Sequence, residues 1–143
     1  MKPRSPDVYV EEPWLSVRWD EVHRCIYAEW TGLADSVEFR SGTVAILKAI
    51  RDRKAASLVS DNRRLAEVAN QDQIWINESW VPMAVGSGLK RIAVVLASDG
   101  QVKTASEGII RRFGDKVFET QTFASPDEAL EWVRARSRWN APS

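Results

Sequence analysis

The chain has 143 residues, 44% of them apolar and 28% charged, the size of one domain with a single core. Twenty Lys and Arg balance twenty Asp and Glu, so no long-range positive field draws it onto phosphate backbones, and nucleic acid is not expected as a partner. One cysteine and one histidine leave neither an internal disulfide nor a zinc cluster, and no stretch approaches a membrane span, so a cytoplasmic protein comprising the whole chain is expected, without cofactor or metal.

From Asp7 to Gly32 the chain reads as extended. Val8–Glu11 forms a short first piece before Pro13. Leu15, Val17 and Trp19 then alternate with Ser16, Arg18 and Asp20, and Ile26, Ala28 and Trp30 with Cys25, Tyr27 and Glu29, with a turn at Asp20–His23 between them. The pattern predicts an antiparallel opening. After Gly32 the period changes: Asp35 and Glu38 have capping-box spacing, and Phe39, Thr43, Ile46, Leu47 and Ile50 form a helical stripe over about 36–53. Gly42 inside that helix suggests the close approach of another backbone, or simple tolerance.

Ala56–Ser60 reads as a strand, followed by a polar stretch to Asn70. A second helix is expected from Asn70–Asp72 to Val85 with Ile76, Trp80 and Ala84 on one face; Pro82 should bend or loosen its last turn. Gly86-Ser87-Gly88 ends it, and Ile92–Ala97 is an apolar run suited to a central strand. A third helix is expected over Gln101–Phe113, a last strand over Lys116–Phe123, and a final helix opening at Ser125-Pro126-Asp127-Glu128, with Asn140–Ser143 frayed. Strands first, then alternating helices and strands, predict an α/β fold with a small mixed sheet: antiparallel opening strands, then parallel strands joined by crossover helices.

The order and spacing of several short motifs resemble the SpoIIAA-like family, also described as STAS/SEC14-like bacterial domains. The resemblance rests on Trp30-Thr31-Gly32 before a helix with Glu38-Phe39, the strand ending at Asp61, Trp75 with Glu78-Ser79-Trp80-Val81-Pro82, Gly88 to Val95, and Phe123 leading to Glu128-Ala129-Leu130-Glu131-Trp132. It spans roughly residues 10–135 and implies a single small mixed-sheet domain, largely without known biochemistry. Related anti-sigma-factor antagonists switch by phosphorylation of a serine in an Asp-Ser-Ser/Thr-Gly type motif. The corresponding stretch here, Leu65–Gln73, has no serine or threonine, so the resemblance implies the fold without that switch.

Ligands of open α/β sheets gather beyond the carboxyl ends of the strands, which singles out Ser60, Asp61, Asn62, Arg63, Arg64, Ser98, Asp99 and Ser125. Asp61 has no second acid at fixed spacing for phosphoryl chemistry, and a turn-capping role for Asp61 and Asn62 is the stronger reading. Gly86-Ser87-Gly88 with Lys90-Arg91 would make an anion nest, yet the glycines follow a helix and fit a helix end better. His23 and Cys25 lack an activating third group.

Seven of thirteen aromatic residues are tryptophan. Trp75 and Trp80 are about 140° apart on a helix and cannot both face one core, while Arg136 near Trp132 and Trp139 permits a cation–π stack. These features predict a non-enzymatic regulatory or protein-interaction module with a protein partner or self-association, its surface drawn from Trp75, Trp80, Pro82, Asp61, Asn62 and Arg64. The alternative is a carrier of a small apolar or lipid-like ligand in a Trp-lined pocket.

Overall fold

The computed structural model describes residues 7–32, 34–65, 68–97 and 117–139, with side chains to residue 136. Its sheet has six strands in sequence order: β1 (Val8–Glu12), β2 (Leu15–Asp20), β3 (Cys25–Trp30), β4 (Ser57–Asp61), β5 (Arg91–Val95) and β6 (Glu119–Phe123). The pairs β1–β2 and β2–β3 are antiparallel, and β3–β4, β4–β5 and β5–β6 are parallel. This is the mixed α/β sheet that the sequence predicts. The β2–β3 turn closes with Arg24 at φ 54°, and Asp20 accepts the His23 backbone N–H at 2.9 Å.

Helix α1 (Ser36–Arg53) starts where its capping box requires: Asp35 accepts the Glu38 N–H at 2.8 Å, and Glu38 accepts the Asp35 N–H at 3.0 Å. Gly42 is needed for space, though side chains rather than another backbone come close. A Cβ there would lie 2.7 Å from Leu15 and 2.9 Å from Trp30.

The segment expected as one helix is α2 (Asn70–Trp75), a π turn (Ile76–Trp80) and α3 (Val81–Gly86). In the π turn the Val81 N–H bonds to the Ile76 carbonyl, which absorbs one extra residue. Pro82 enters the first turn of α3, where a missing N–H is tolerated. The last turn is not loosened as expected; the irregularity is the π turn that precedes Pro82. Gly88, at φ 100°, ends the segment, so the glycines close a helix as the sequence suggested.

The last strand begins at Glu119, because Val117 is helical and Phe118 turns into the core. Helix α4 (Pro126–Trp139) follows. The expected helix at Gln101–Phe113, with Ser98, Asp99 and Asn140–Ser143, lies outside the described residues.

Because side chains alternate across a strand, the sheet buries two different faces. One face, with Leu15, Val17, Trp19, Ile26, Ala28, Trp30, Leu58, Ile92 and Val94, packs on α1, the π turn and α3. The other, with Cys25, Tyr27, Val59, Ala93 and Val95, packs on Ala129, Leu130 and Val133 of α4.

Candidate functional site

Asp61 ends β4 on the α4 face, and its carboxylate is fully engaged. Tyr27 Oη donates to it at 2.8 Å from β3, and Arg63 grips both oxygens, Nε to Oδ1 at 2.9 Å and Nη2 to Oδ2 at 2.8 Å. The Arg63 backbone N–H adds a longer bond at 3.3 Å, the turn-capping contact expected of Asp61. Burial alone would raise the Asp61 pKa, but the bonds from Arg63 and Tyr27 outweigh it and hold the carboxyl below its ordinary value. Burial and the neighbouring carboxylate push Tyr27 in the opposite direction, well above the usual phenol. A carboxylate held by a bidentate guanidinium is stabilised as an anion and is a poor proton acceptor at neutral pH.

Asn62 is buried and accepts from Ser60 Oγ at 2.7 Å, while Arg64 is exposed on the turn. Arg18 lies over the Tyr27 ring, 4.8 Å from its centroid, and extends this polar group across β2.

His23 and Cys25 do not meet as base and nucleophile. His23 Nδ1 lies 3.0 Å from Asp20 Oδ1, and Cys25 is buried with its thiol pushed up to about 12 by desolvation. Among the described residues no group of three or more His, Cys, Asp or Glu could hold a metal ion.

A second polar group lies on the opposite side of the sheet, at the seam between α1 and α2. Asp72 is turned inward and buried, accepting from Ser36 Oγ at 2.7 Å and from Arg40 Nε at 2.8 Å. The same Arg40 lies 5.4 Å from the centre of the Trp75 ring. One guanidinium therefore binds a buried acid and stacks on a half-buried aromatic. Beside them a cleft of about 180 Å³ is lined by Ala34, Asp35, Ser36, Phe39, Leu65, Val68, Ala69 and Asp72, with no tryptophan among its walls.

The six residues singled out from sequence do not form one surface. Asp61 belongs to the α4 face, whereas Trp75 and Trp80 pack with the core of the other face. Trp80 is core, and its indole N–H donates to the Thr43 carbonyl at 2.7 Å. Pro82 is exposed, and Trp75 sits at the margin of the core. Ile76 and Trp80 are both buried, whereas Trp75 is half-buried and packs against the edge of the same cluster, so the two tryptophans differ in depth rather than facing different cores. On α4, Arg136 lies 5.6 Å from the Trp132 ring centre, as the spacing permitted; the Trp139 side chain lies outside the described residues.

Sequence reasoning missed Tyr27, Arg40 and Asp72 as partners. Each is separated by more than thirty positions from a residue it binds, so spacing carried no trace of the contact. Arg63 stands two residues from Asp61 and was named with it at the strand end, but its grip on the carboxylate was not anticipated.

No family model matches this chain, and neither a curated protein nor a solved structure matches it.

Proposed function

We propose that this chain is a non-enzymatic interaction module of the SpoIIAA-like type, acting in the cytoplasm through the surface where α1 meets α2. The observation that carries the reading is Trp75, a half-buried ring at that seam, held under Arg40 by the guanidinium that also binds Asp72. Tryptophan and arginine are the side chains most often found as interface anchors, and a ring already fixed by its neighbour loses little entropy when a partner covers it. Ile74, its neighbour in α2, is 37% exposed and adds apolar area on that helix.

Two further observations support this reading over catalysis or carriage. The candidate acid Asp61 is neutralised by Arg63, and the thiol of Cys25 is buried and protonated. The cleft beside Asp72, of about 180 Å³ and without tryptophan in its walls, is smaller than the roughly 300 Å³ at which drug-sized ligand pockets begin, so this cleft does not supply the Trp-lined pocket of a carrier. The resemblance to the SpoIIAA-like family and the mixed sheet point the same way, and Leu65–Gln73 without serine or threonine supports regulation by contact rather than by that family's phosphorylation switch.

Sedimentation velocity across a concentration series tests self-association, and native mass spectrometry reports a retained partner or ligand in the same preparation. Trp75→Ala is expected to weaken the association and to cost about 1 kcal/mol of stability. A wild-type protein that is monomeric and partnerless in both measurements, or a Trp75→Ala protein that associates as tightly as wild type, overturns the proposal.

A further inference from the structure

At the amino-terminal ends of the parallel strands, Ser57, Arg91 and Glu119 stand in register across β4, β5 and β6. Arg91 alternates with Ile92 and so shares the α4 face with Ala93 and Val95. Its side chain is 3% exposed, which for an arginine requires compensation by partners. The compensation is incomplete. Nη1 donates to Ser57 Oγ at 2.9 Å, but Nε is buried without a hydrogen-bond partner. Glu119 Oε1 lies 3.5 Å from it, and the other oxygen of the same carboxylate lies 3.7 Å from Arg136 Nη1 on α4. Charge-assisted N–H···O bonds close at about 2.7–2.9 Å, so neither guanidinium has closed its bond.

Two guanidinium groups therefore converge on one carboxylate that satisfies neither, carried by a side chain that is 45% exposed and can swing outward. We propose that Arg91 and Arg136 form a binding site for a small oxyanion, a carboxylate or a phosphate group, in which Glu119 is the resident competitor. An incoming oxyanion gives the buried Nε the short bond that Glu119 does not make, while Arg136 closes the site from α4. The site lies on the face opposite the α1–α2 seam and rests on no part of the interaction reading.

The test titrates inorganic phosphate and, separately, propionate into wild type, Glu119→Gln and Arg136→Ala, at constant ionic strength with chloride as control, read by calorimetry and by thermal melting. Saturable binding to wild type is expected, tightened about tenfold by Glu119→Gln and weakened about tenfold by Arg136→Ala. Preference for phosphate over propionate assigns the site to a phosphate-bearing ligand, and the reverse preference to a carboxylate. Absence of saturable binding in both wild type and Glu119→Gln, stabilisation that chloride reproduces, or affinity unchanged by Arg136→Ala overturns it. Arg136 is a partly exposed helix residue, so its variant remains informative even if Glu119→Gln folds poorly.

Discussion

Towards α1, the π turn and α3 the sheet presents Leu15, Val17, Trp19, Ile26, Ala28, Trp30, Leu58, Ile92 and Val94, an apolar surface clustered with Phe39 and Trp80, Trp30 stacking on the Phe39 ring. Towards α4 it presents Cys25, Tyr27, Val59, Ala93 and Val95, with Asp61 at one end and Ser57 and Arg91 at the other. The first face is closed mainly by dispersion and burial, with the Asp72–Arg40 pair at its α1–α2 margin. On the second, a thin apolar strip is bordered by ionic groups whose geometry must be satisfied bond by bond. Apolar burial is therefore heavier on one side of the sheet, while on the other a smaller apolar core is bordered by ionic groups.

The largest effect that tests this contrast is Trp80→Ala. Truncation removes a buried ring and leaves the Thr43 carbonyl without its donor, so a loss of about 3–5 kcal/mol is expected in denaturant unfolding. A loss below about 1 kcal/mol would place Trp80 outside the core.

Asp61→Asn should cost about 2 kcal/mol near neutral pH, because the bidentate grip of the partly exposed Arg63 is lost while a hydrogen-bonding group remains. Its distinguishing mark is pH. The Asp61 pKa is lower in the folded protein than in the unfolded chain, so its contribution is present above the unfolded value of about 3.9 and is lost as pH falls through the folded value. The variant should show a shallower acid limb than wild type in a stability-versus-pH series; equal limbs would mean that the carboxylate is not held as described.

Gly42→Ala pits two effects against each other. Alanine gains up to about 1 kcal/mol of helix propensity, whereas its Cβ meets Leu15 and Trp30 below 3.0 Å inside a packed face. Overpacking wins, and a net loss of about 1–2 kcal/mol is expected in thermal or chemical melts. A stabilised variant would show that this face has slack.

The smallest effect belongs to Pro82→Ala, on an exposed position in the first turn of α3. A change within about 0.5 kcal/mol is expected, with the π turn retained in a structure of the variant. Its disappearance would assign the π turn to the proline rather than to the packing of Ile76 and Trp80.

The same division separates what the sequence made legible from what it hid. Helix α1 was readable because Asp35 and Glu38 announce its start, a stripe from Phe39 to Ile50 carries it, and Arg51 and Arg53 stand in its last turn. β2 and β3 showed themselves by strict alternation, and the order of elements was enough for the mixed sheet. The π turn was hidden, since an i to i+5 bond has no sequence period of its own. Asp61 was visible as a polar residue at a strand end, but its partner Tyr27 was masked by the alternation that marked Tyr27 as a strand residue. Arg91 entered the sequence reading only with Lys90 as a cation near the glycines, and nothing there marked it as buried in register with Ser57 and Glu119.

One feature of the first strand bears on how such a sheet stays discrete. β1 pairs with β2 through a register shift between Val8 and Val10, and it ends in Glu11 and Glu12. Arg53, in the last turn of α1, donates to Tyr9 Oη at 2.7 Å and to Asp7 at 2.9 Å, fastening the strand from the side. A kinked strand with paired negative charges at its end is a poor template for another chain, and the Arg53 clasp keeps it from peeling off to expose β2, whose Leu15, Val17 and Trp19 would make a far more adhesive edge. The outermost strand thus works as a gatekeeper against aggregation, and loss of Arg53 would be felt first as precipitation on storage or overexpression.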